Sequence, residues 1–246
     1  MKETYHSTDK TYDEYVLVSE RQIEEFLSEM KNEEENNNER MRWHRMLSYE
    51  QFERMLIACA EKIMHNRGTY EKFIIDDNNS YMIHQMYYYF IGNQEKCAWN
   101  VDKGLYFYGA VGCGKTLLML SLMSIINAIC GIIITYIHSK ELLGLIKSVG
   151  IKSIVMKPIF IDELGRESLE INEYGNKIRP IQDLFSYRYE SGARTFVTSN
   201  FGIDELEGKK DKKTGVVAGY GKYVRTRIEE MMNIVKMPGE NRRPKY

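Results

Sequence analysis

The sequence contains few cysteines that could cross-link the chain. There are four cysteines in 246 residues, and no two of them form a CxxC pair. This spacing argues against a disulfide framework and against a zinc site, so we expect reduced thiols. Segment 1–20 is polar and charged, without the apolar core of a signal peptide. Both observations favour a cytoplasmic protein.

The sequence also lacks a long apolar run and a strong net charge. Its longest apolar stretch, 117–134, is interrupted by Ser121, Ser124, Asn127 and Gly131, which favours a buried helix and strand over a membrane span. The net charge is −1, so no overall field points to a nucleic-acid or membrane partner. Hydrophobic residues make up 43% and charged residues 28%, as in globular proteins.

Three zones follow one another along the chain. Zone 1–66 is polar and predicted to be a helical N-terminal region. Zone 67–102 is a helical lead-in, and zone 103–246 alternates apolar strands with helices. Such alternation predicts an α/β fold with a parallel sheet covered on both faces.

Four helices are predicted before the second core strand. In the first, an apolar stripe has helical spacing, and in the second, residues 48–63, Ser48 and Gln51 form a capping box. The stripe consists of Ile23, Phe26, Leu27 and Met30. The third helix, 80–90, contains the aromatic run 87–90, which we interpret as packing rather than as a platform for bases. The fourth, 117–129, follows the first core strand.

The core strands are predicted from short apolar runs. They are residues 105–108, 132–137, 158–161, 195–198 and 233–237. Because strands joined by helices run parallel, their carboxyl ends meet at one edge of the sheet, where ligands of such folds bind.

A phosphate-binding loop is predicted after the first core strand. Residues 109–116 fit GxxxxGK[ST], and their glycines let backbone N–H groups curl around phosphates. Lys115 would reach the β- and γ-phosphates of ATP, and the Thr116 hydroxyl would bind Mg²⁺. The predicted nucleotide contacts are Gly109, Ala110, Val111, Gly112, Cys113, Gly114, Lys115, Thr116 and Leu117.

Two adjacent acids close the third core strand. Asp162 and Glu163 follow an apolar run, and buried strands seldom end in paired acids unless these meet water or metal. Asp162 is the candidate Mg²⁺-binding residue. Glu163 is the candidate base that polarises the attacking water.

Polar groups also follow the fourth core strand and lie on a late helix. If the fourth strand lies between the first and the third, Asn200 points at the γ-phosphate and helps to hold the attacking water. Helix 223–232 carries Arg225 and Arg227. Either arginine could stabilise charge on a neighbouring subunit's γ-phosphate, and the pattern alone does not choose between them.

Four segments together resemble the helicase-loader clade of AAA+ ATPases, which contains DnaC-like replication proteins and IstB-like transposition helpers. The segments are residues 103–116, residues 161–165, residues 187–190 followed by 194–200, and residues 220–228. They span a little over half the chain. The family usually has Asp-Asp where this chain has Asp162-Glu163, a conservative change for water activation.

The resemblance implies an ATP- and Mg²⁺-dependent ATPase. Its sheet would have the order 5-1-4-3-2, and 46 residues after Asn200 are too few for a full C-terminal lid. Asn200 would be the sensor 1 residue. Arg227 would be the arginine finger across a subunit interface, with Arg225 as second choice.

The resemblance also implies partners. An insert at 139–156 would contact single-stranded DNA, with Lys140, Lys147 and Lys152 as candidate phosphate contacts, and the N-terminal region would dock on a replicative helicase.

A separate basic loop, 208–215, contains Lys209 and Lys210, which could contact DNA, although a solvated hairpin is the favoured interpretation.

Three alternatives stay open. An IstB-like helper would use the same core on duplex DNA to direct a transposase. A small-molecule kinase would share the phosphate loop, but Glu163 and Asn200 argue against it. An ATP-gated adaptor without turnover is disfavoured by the complete set of Lys115, Asp162 and Glu163.

Overall fold

The computed structural model describes residues 23–31, 45–167, 171–173, 176–210 and 217–242, without the side chains of 171–178 and 209–218. The chain divides into two units, 1–43 and 44–246. The described part of the first unit is one helix, α1 (23–31), on which the predicted apolar stripe is exposed. Residues 1–22 and 32–43 of the first unit lie outside the described ranges.

The second unit alternates helices and strands. Its helices are α2 (Tyr49–Asn66), α3 (Ser80–Ile91), α4 (Lys115–Cys130), α5 (Ser139–Val149), α6 (Lys152–Val155), α7 (Pro180–Glu190), α8 (Ile203–Glu207) and α9 (Gly221–Met231). Its strands are β1 (Gly104–Tyr108), β2 (Thr135–His138), β3 (Ile159–Leu164), β4 (Ile171–Glu173), β5 (Asn176–Ile178), β6 (Thr195–Ser199), β7 (Lys209–Lys210), β8 (Val217–Ala218) and β9 (Met232–Lys236).

Five of these strands form one parallel sheet. Its order is β2-β3-β6-β1-β9, and β1 pairs in parallel with both β6 and β9. Numbered as core strands one to five, this order reads 2-3-4-1-5, which from the other edge of the sheet is the predicted 5-1-4-3-2, so the predicted fold is confirmed. Two antiparallel hairpins, β4-β5 and β7-β8, lie outside this sheet.

Two strand boundaries differ from the prediction by more than one residue. β2 begins at Thr135 rather than at residue 132, because Gly131 ends α4 in the left-handed region with φ 69° and residues 132–134 form an irregular connection. β3 runs on to Leu164, so Asp162 and Glu163 lie inside the strand rather than after it. The register of β3 against β6 shifts between Ile161 and Leu164, which marks an irregularity at the acids.

The sheet separates two apolar layers. On one face, Tyr106, Ile161 and Val197 pack in a buried cluster with residues of α5, α7 and α9. Because side chains alternate along a strand, Phe107 and Phe196 face the other layer, where α4 lies and α2 packs against α4. Within the described residues no helix is both long enough and apolar enough to cross a membrane.

Helices α2 and α3 belong to the compact second unit. The predicted capping box is present at the start of α2, since the Ser48 hydroxyl accepts from the Gln51 N–H and the Gln51 side chain accepts from the Ser48 N–H. In the aromatic run of α3, Tyr89 and Phe90 are fully buried, and the Tyr87 hydroxyl donates to the Leu47 carbonyl. This run therefore packs the core, as predicted. The functional division at residues 66 and 102 stays a prediction.

Candidate nucleotide site

The phosphate loop joins β1 to α4, as predicted. Gly112 and Gly114 adopt φ values of 84° and 99°, which L side chains rarely adopt. Gly114 is the N-cap residue of α4, so the helix begins at Lys115 and its N-terminus faces the loop. Backbone N–H groups and the helix dipole therefore favour an anion at this point.

Lys115 is buried within the loop. Its ammonium group donates to the carbonyl oxygens of Gly109 and Ala110 at 2.8 and 2.7 Å, and to Asn200 Oδ1 at 3.0 Å. Burial lowers the pKa of Lys115, while the neighbouring Cys113, Glu163 and Asp162 raise it. The contact with Asn200 follows from β6 lying between β1 and β3, the condition on which the prediction for Asn200 rested.

Asp162 accepts hydrogen bonds from three hydroxyl groups. Thr116 Oγ1 donates to Asp162 Oδ1 at 2.7 Å, and Thr198 Oγ1 donates to the same oxygen. Tyr136, on the edge strand β2, donates to Asp162 Oδ2 at 3.1 Å. The carboxylate is thus fixed beside the end of the phosphate loop.

Thr116 and Asp162 fit the metal predicted for them. Their hydroxyl and carboxylate oxygens lie within 2.7 Å of each other, where β3 meets the start of α4. Oxygen atoms of this kind are the ligands that Mg²⁺ prefers, usually together with water and substrate phosphates.

Glu163 is held in an unusual backbone conformation. It is the one non-glycine residue with positive φ, 58°, among the described residues. Its N–H donates to Thr198 Oγ1 at 3.2 Å, and its carbonyl accepts from Ser139 Oγ at 2.8 Å. Strained residues of this kind persist where surrounding contacts fix them, and they concentrate at functional sites.

Two nitrogen-bearing side chains contact the Glu163 carboxylate. His138 Nε2 lies 3.4 Å and Arg166 Nη1 lies 3.3 Å from Glu163 Oε2. Sequence reasoning missed His138, although it ends β2 opposite Asp162 in the register of the sheet. Because parallel strands end at a common edge of the sheet, the position of His138 at the end of β2 could have identified it as a residue of the site. No comparable signal marks Arg166.

The residues of the site line one cavity of about 1090 Å³. Lys115, Asp162, Glu163 and Asn200 contribute to its wall. Two segments that the sequence did not predict complete the wall, one between Arg67 and Asn79 and one between Gly239 and Arg242. A cavity of this size accommodates a nucleotide.

The two candidate finger arginines have different surroundings. Arg225 forms ion pairs with Asp204, Glu207 and Glu229 at 2.6, 2.7 and 3.0 Å. Arg227 forms no ion pair of this kind among the described residues. Its guanidinium carbon lies 3.4 Å from the ring centre of Tyr223 and 5.0 Å from that of Tyr189, and its buried Nε has no described hydrogen-bond partner.

Three of the five candidate DNA-binding lysines, Lys140, Lys147 and Lys152, lie away from the cavity wall. Lys140 and Lys147 are exposed on α5, and Lys152 is exposed on α6. Lys209 and Lys210 form strand β7, but their side chains lie outside the described part of the chain. DNA binding by any of the five lysines stays a prediction.

The strand order, the phosphate loop and the paired acids are those of a P-loop nucleotide-binding fold. Among the solved structures similar to the chain is a candidate primosome component from Streptococcus pyogenes serotype M3, at 22% identity, with 70% of this chain and 85% of that one covered and a TM-score of 0.49. DnaI has 20% identity, 70% and 88% coverage and a TM-score of 0.48.

The DnaC helicase loader has 20% identity, 67% and 93% coverage and a TM-score of 0.48. No protein-family model matches the chain, and no curated protein sequence matches it.

Proposed function

We propose that the protein hydrolyses ATP to ADP and phosphate. The observation that carries this proposal is the convergence of Lys115, Asp162, Glu163 and Asn200 on one cavity at the carboxyl ends of neighbouring strands. A phosphate loop alone would support nucleotide binding without hydrolysis. The carboxylate of Glu163 beside it supplies a base for an attacking water.

Each residue has a role that follows from its position. Lys115 would exchange its contacts with loop carbonyls for the β- and γ-phosphates, and Asn200, now 3.0 Å from Lys115, would hold the attacking water. Glu163 would accept a proton from that water. Mg²⁺ held by Thr116 and Asp162 would neutralise phosphate charge.

We further propose that this ATPase acts in DNA replication as a helicase loader that hydrolyses ATP on single-stranded DNA. The support is the sequence resemblance to that clade and the exposed Lys140, Lys147 and Lys152. Phosphate contacts from such lysines would give binding that weakens with salt and depends little on sequence. The exposed apolar stripe of α1 is a candidate surface for the helicase partner.

The test is the ATPase rate with no DNA, with single-stranded DNA and with duplex DNA, over a range of protein concentrations. We expect single strands to stimulate the rate, more steeply as protein concentration rises. Stimulation by duplex alone would favour the transposition helper. A rate that responds to neither DNA, nor to concentration, would contradict the loader while leaving the ATPase in place.

Arg227 is the proposed finger across a subunit interface. Three carboxylates already neutralise Arg225, whereas the guanidinium of Arg227 is oriented by two tyrosine rings and has no such partners among the described residues.

We expect Arg227→Ala to retain ATP binding and to lose hydrolysis about 10³-fold. Arg225→Ala, the matched control on the same helix, should chiefly lower the unfolding temperature. Binding, turnover and thermal melting separate the two outcomes. Full activity of Arg227→Ala, or of a strictly monomeric protein, would contradict the assignment.

A further inference from the structure

One ion pair bridges the two unpredicted segments of the cavity wall. Arg242 Nη2 lies 2.5 Å from Asp76 Oδ1, and the two residues are 166 positions apart in the chain. We call residues 237–242 the strap, because they follow β9 and cross the phosphate loop. Asp76 belongs to the turn 74–79, which precedes α3. Both charged side chains line the nucleotide cavity.

The strap lies directly against the phosphate loop and its strand. The Arg242 N–H donates to the Gly112 carbonyl at 3.1 Å, and the Met237 N–H donates to the Tyr108 carbonyl at 2.7 Å. A Cβ atom on Gly112 would come within 1.9 Å of Asn241 Oδ1. The strap therefore lies in direct contact with the phosphate loop at Gly112.

The turn holds Asp76 ready for the pair. The Asp76 N–H donates to Asn79 Oδ1, and Asn79 Nδ2 donates to the Ile74 carbonyl, both at 2.9 Å. Asp76 Oδ1 also accepts from the Asn78 N–H at 2.9 Å. The hydrogen bond from Arg242 lowers the pKa of Asp76, so the carboxylate is ionised at neutral pH.

We propose that the Arg242–Asp76 pair is a clasp that fastens the strap over the cavity and slows the release of bound nucleotide. This inference rests on the proposed function, since it concerns the same cavity. A nucleotide on the phosphate loop would be enclosed between the strap and the turn. It would leave faster whenever the pair opened.

The Arg242–Asp76 ion pair is weak enough for its opening to control the rate of nucleotide release. The two side chains keep 31% and 41% of their exposure, so dissolved salt screens their attraction. Release from the wild-type protein should therefore speed up with ionic strength. A variant without the pair should lose that part of the salt dependence.

The test is a stopped-flow measurement of the release of a fluorescent ADP analogue. Asp76→Asn keeps the acceptor for the Asn78 N–H but removes the charge, and Arg242→Gln removes the other charge. We expect each to release the analogue about two to five times faster than wild type, the range of a partly exposed ion pair. Arg242→Lys should stay near wild type, as should Arg54→Gln on the exposed side of α2.

The double variant decides whether the residues act as a pair. If they do, Asp76→Asn combined with Arg242→Gln releases the analogue no faster than either single variant. Multiplied effects, or an effect of Arg242→Gln alone, would overturn the clasp and place Arg242 on the nucleotide itself. Wild-type release rates in every variant would also overturn it. Absence of binding by the wild type would instead overturn the proposed function, and the clasp with it.

Discussion

At the scale of single residues, Arg188 has a structural role. It lies fully buried on α7, and its guanidinium group makes six hydrogen bonds with distances of 2.6–3.3 Å. The acceptors are the carbonyls of Ile154, Val155, Lys157, Ala193 and Arg194, and the Thr195 hydroxyl. Burial lowers the pKa of Arg188, and these acceptors offset the cost of burying the charge. The arginine thus joins the segments that enter β3 and β6.

We expect Arg188→Met to lower the free energy of unfolding by ~3 kcal/mol or more, because it leaves several buried carbonyls without a donor. Arg188→Lys should fall between that variant and the wild type, since an ammonium keeps the charge with fewer donors. Denaturant unfolding curves measure the change. A wild-type midpoint for Arg188→Met would show that the hydrogen bonds contribute nothing to stability.

Tyr136 is a residue that positions Asp162. Its hydroxyl donates to Asp162 Oδ2 from the edge strand, and burial together with the Asp162 charge raises the pKa of Tyr136 to about 12. Since the raised pKa keeps the phenol protonated, its hydrogen bond should persist throughout the neutral range. It should be lost only as pH rises through that value.

We expect Tyr136→Phe to raise the Mg²⁺ concentration for half-maximal ATP hydrolysis about tenfold, because partners of metal-binding side chains typically have effects of this size. The KM for ATP at saturating Mg²⁺ should stay near that of the wild type. Tyr81→Phe, an exposed tyrosine on α3, is the matched control. An unchanged Mg²⁺ requirement would remove Tyr136 from the site.

At the scale of elements, the predictable parts were those with a local signal. Apolar runs located the five core strands, and the phosphate-loop pattern fixed the junction of β1 and α4. The capping box at Ser48 predicted the start of α2 to within one residue. Each of these features depends on neighbours in sequence.

The elements that escaped prediction depend on contacts distant in sequence. β3 extends through Glu163 because the hydroxyl groups of Thr198 on β6 and Ser139 on α5 form hydrogen bonds with the Glu163 backbone. The strap and the turn meet through Arg242 and Asp76. No pattern within either segment indicates that it lines the nucleotide cavity.

Close strand packing requires glycine at the start of β1. A Cβ atom on Gly104 would come within 1.8 Å of the Thr195 carbonyl oxygen, which belongs to the backbone of β6. In contrast, a Cβ atom added to Gly144, inside α5, would have no other atom within 4 Å. The two positions therefore form a matched pair for one substitution.

We expect Gly104→Ala to lower the free energy of unfolding by ~3 kcal/mol, since backbone cannot move aside as a side chain can. Gly144→Ala should raise it by up to ~1 kcal/mol, because alanine favours helix interiors. Thermal melting of both variants gives the comparison. A stable Gly104→Ala protein would mean that β1 and β6 separate at this end without cost.

At the scale of the whole molecule, the strand order unites the candidate site. β6 lies between β1 and β3, so Asn200 reaches Lys115, and Asp162 reaches Thr116. This order was predicted from the family resemblance that the phosphate loop, the acid pair and two later segments carry. Partners were less predictable, since docking surfaces carry no comparable pattern.

The account as a whole rests on Glu163 as the catalytic base. The most direct measurement compares single-turnover ATP hydrolysis with nucleotide binding in the wild type, Glu163→Gln and Lys115→Ala. We predict that Glu163→Gln binds ATP like the wild type but hydrolyses it about 10² to 10⁴ times more slowly, and that Lys115→Ala does not bind. Equal turnover by Glu163→Gln and the wild type would contradict the account.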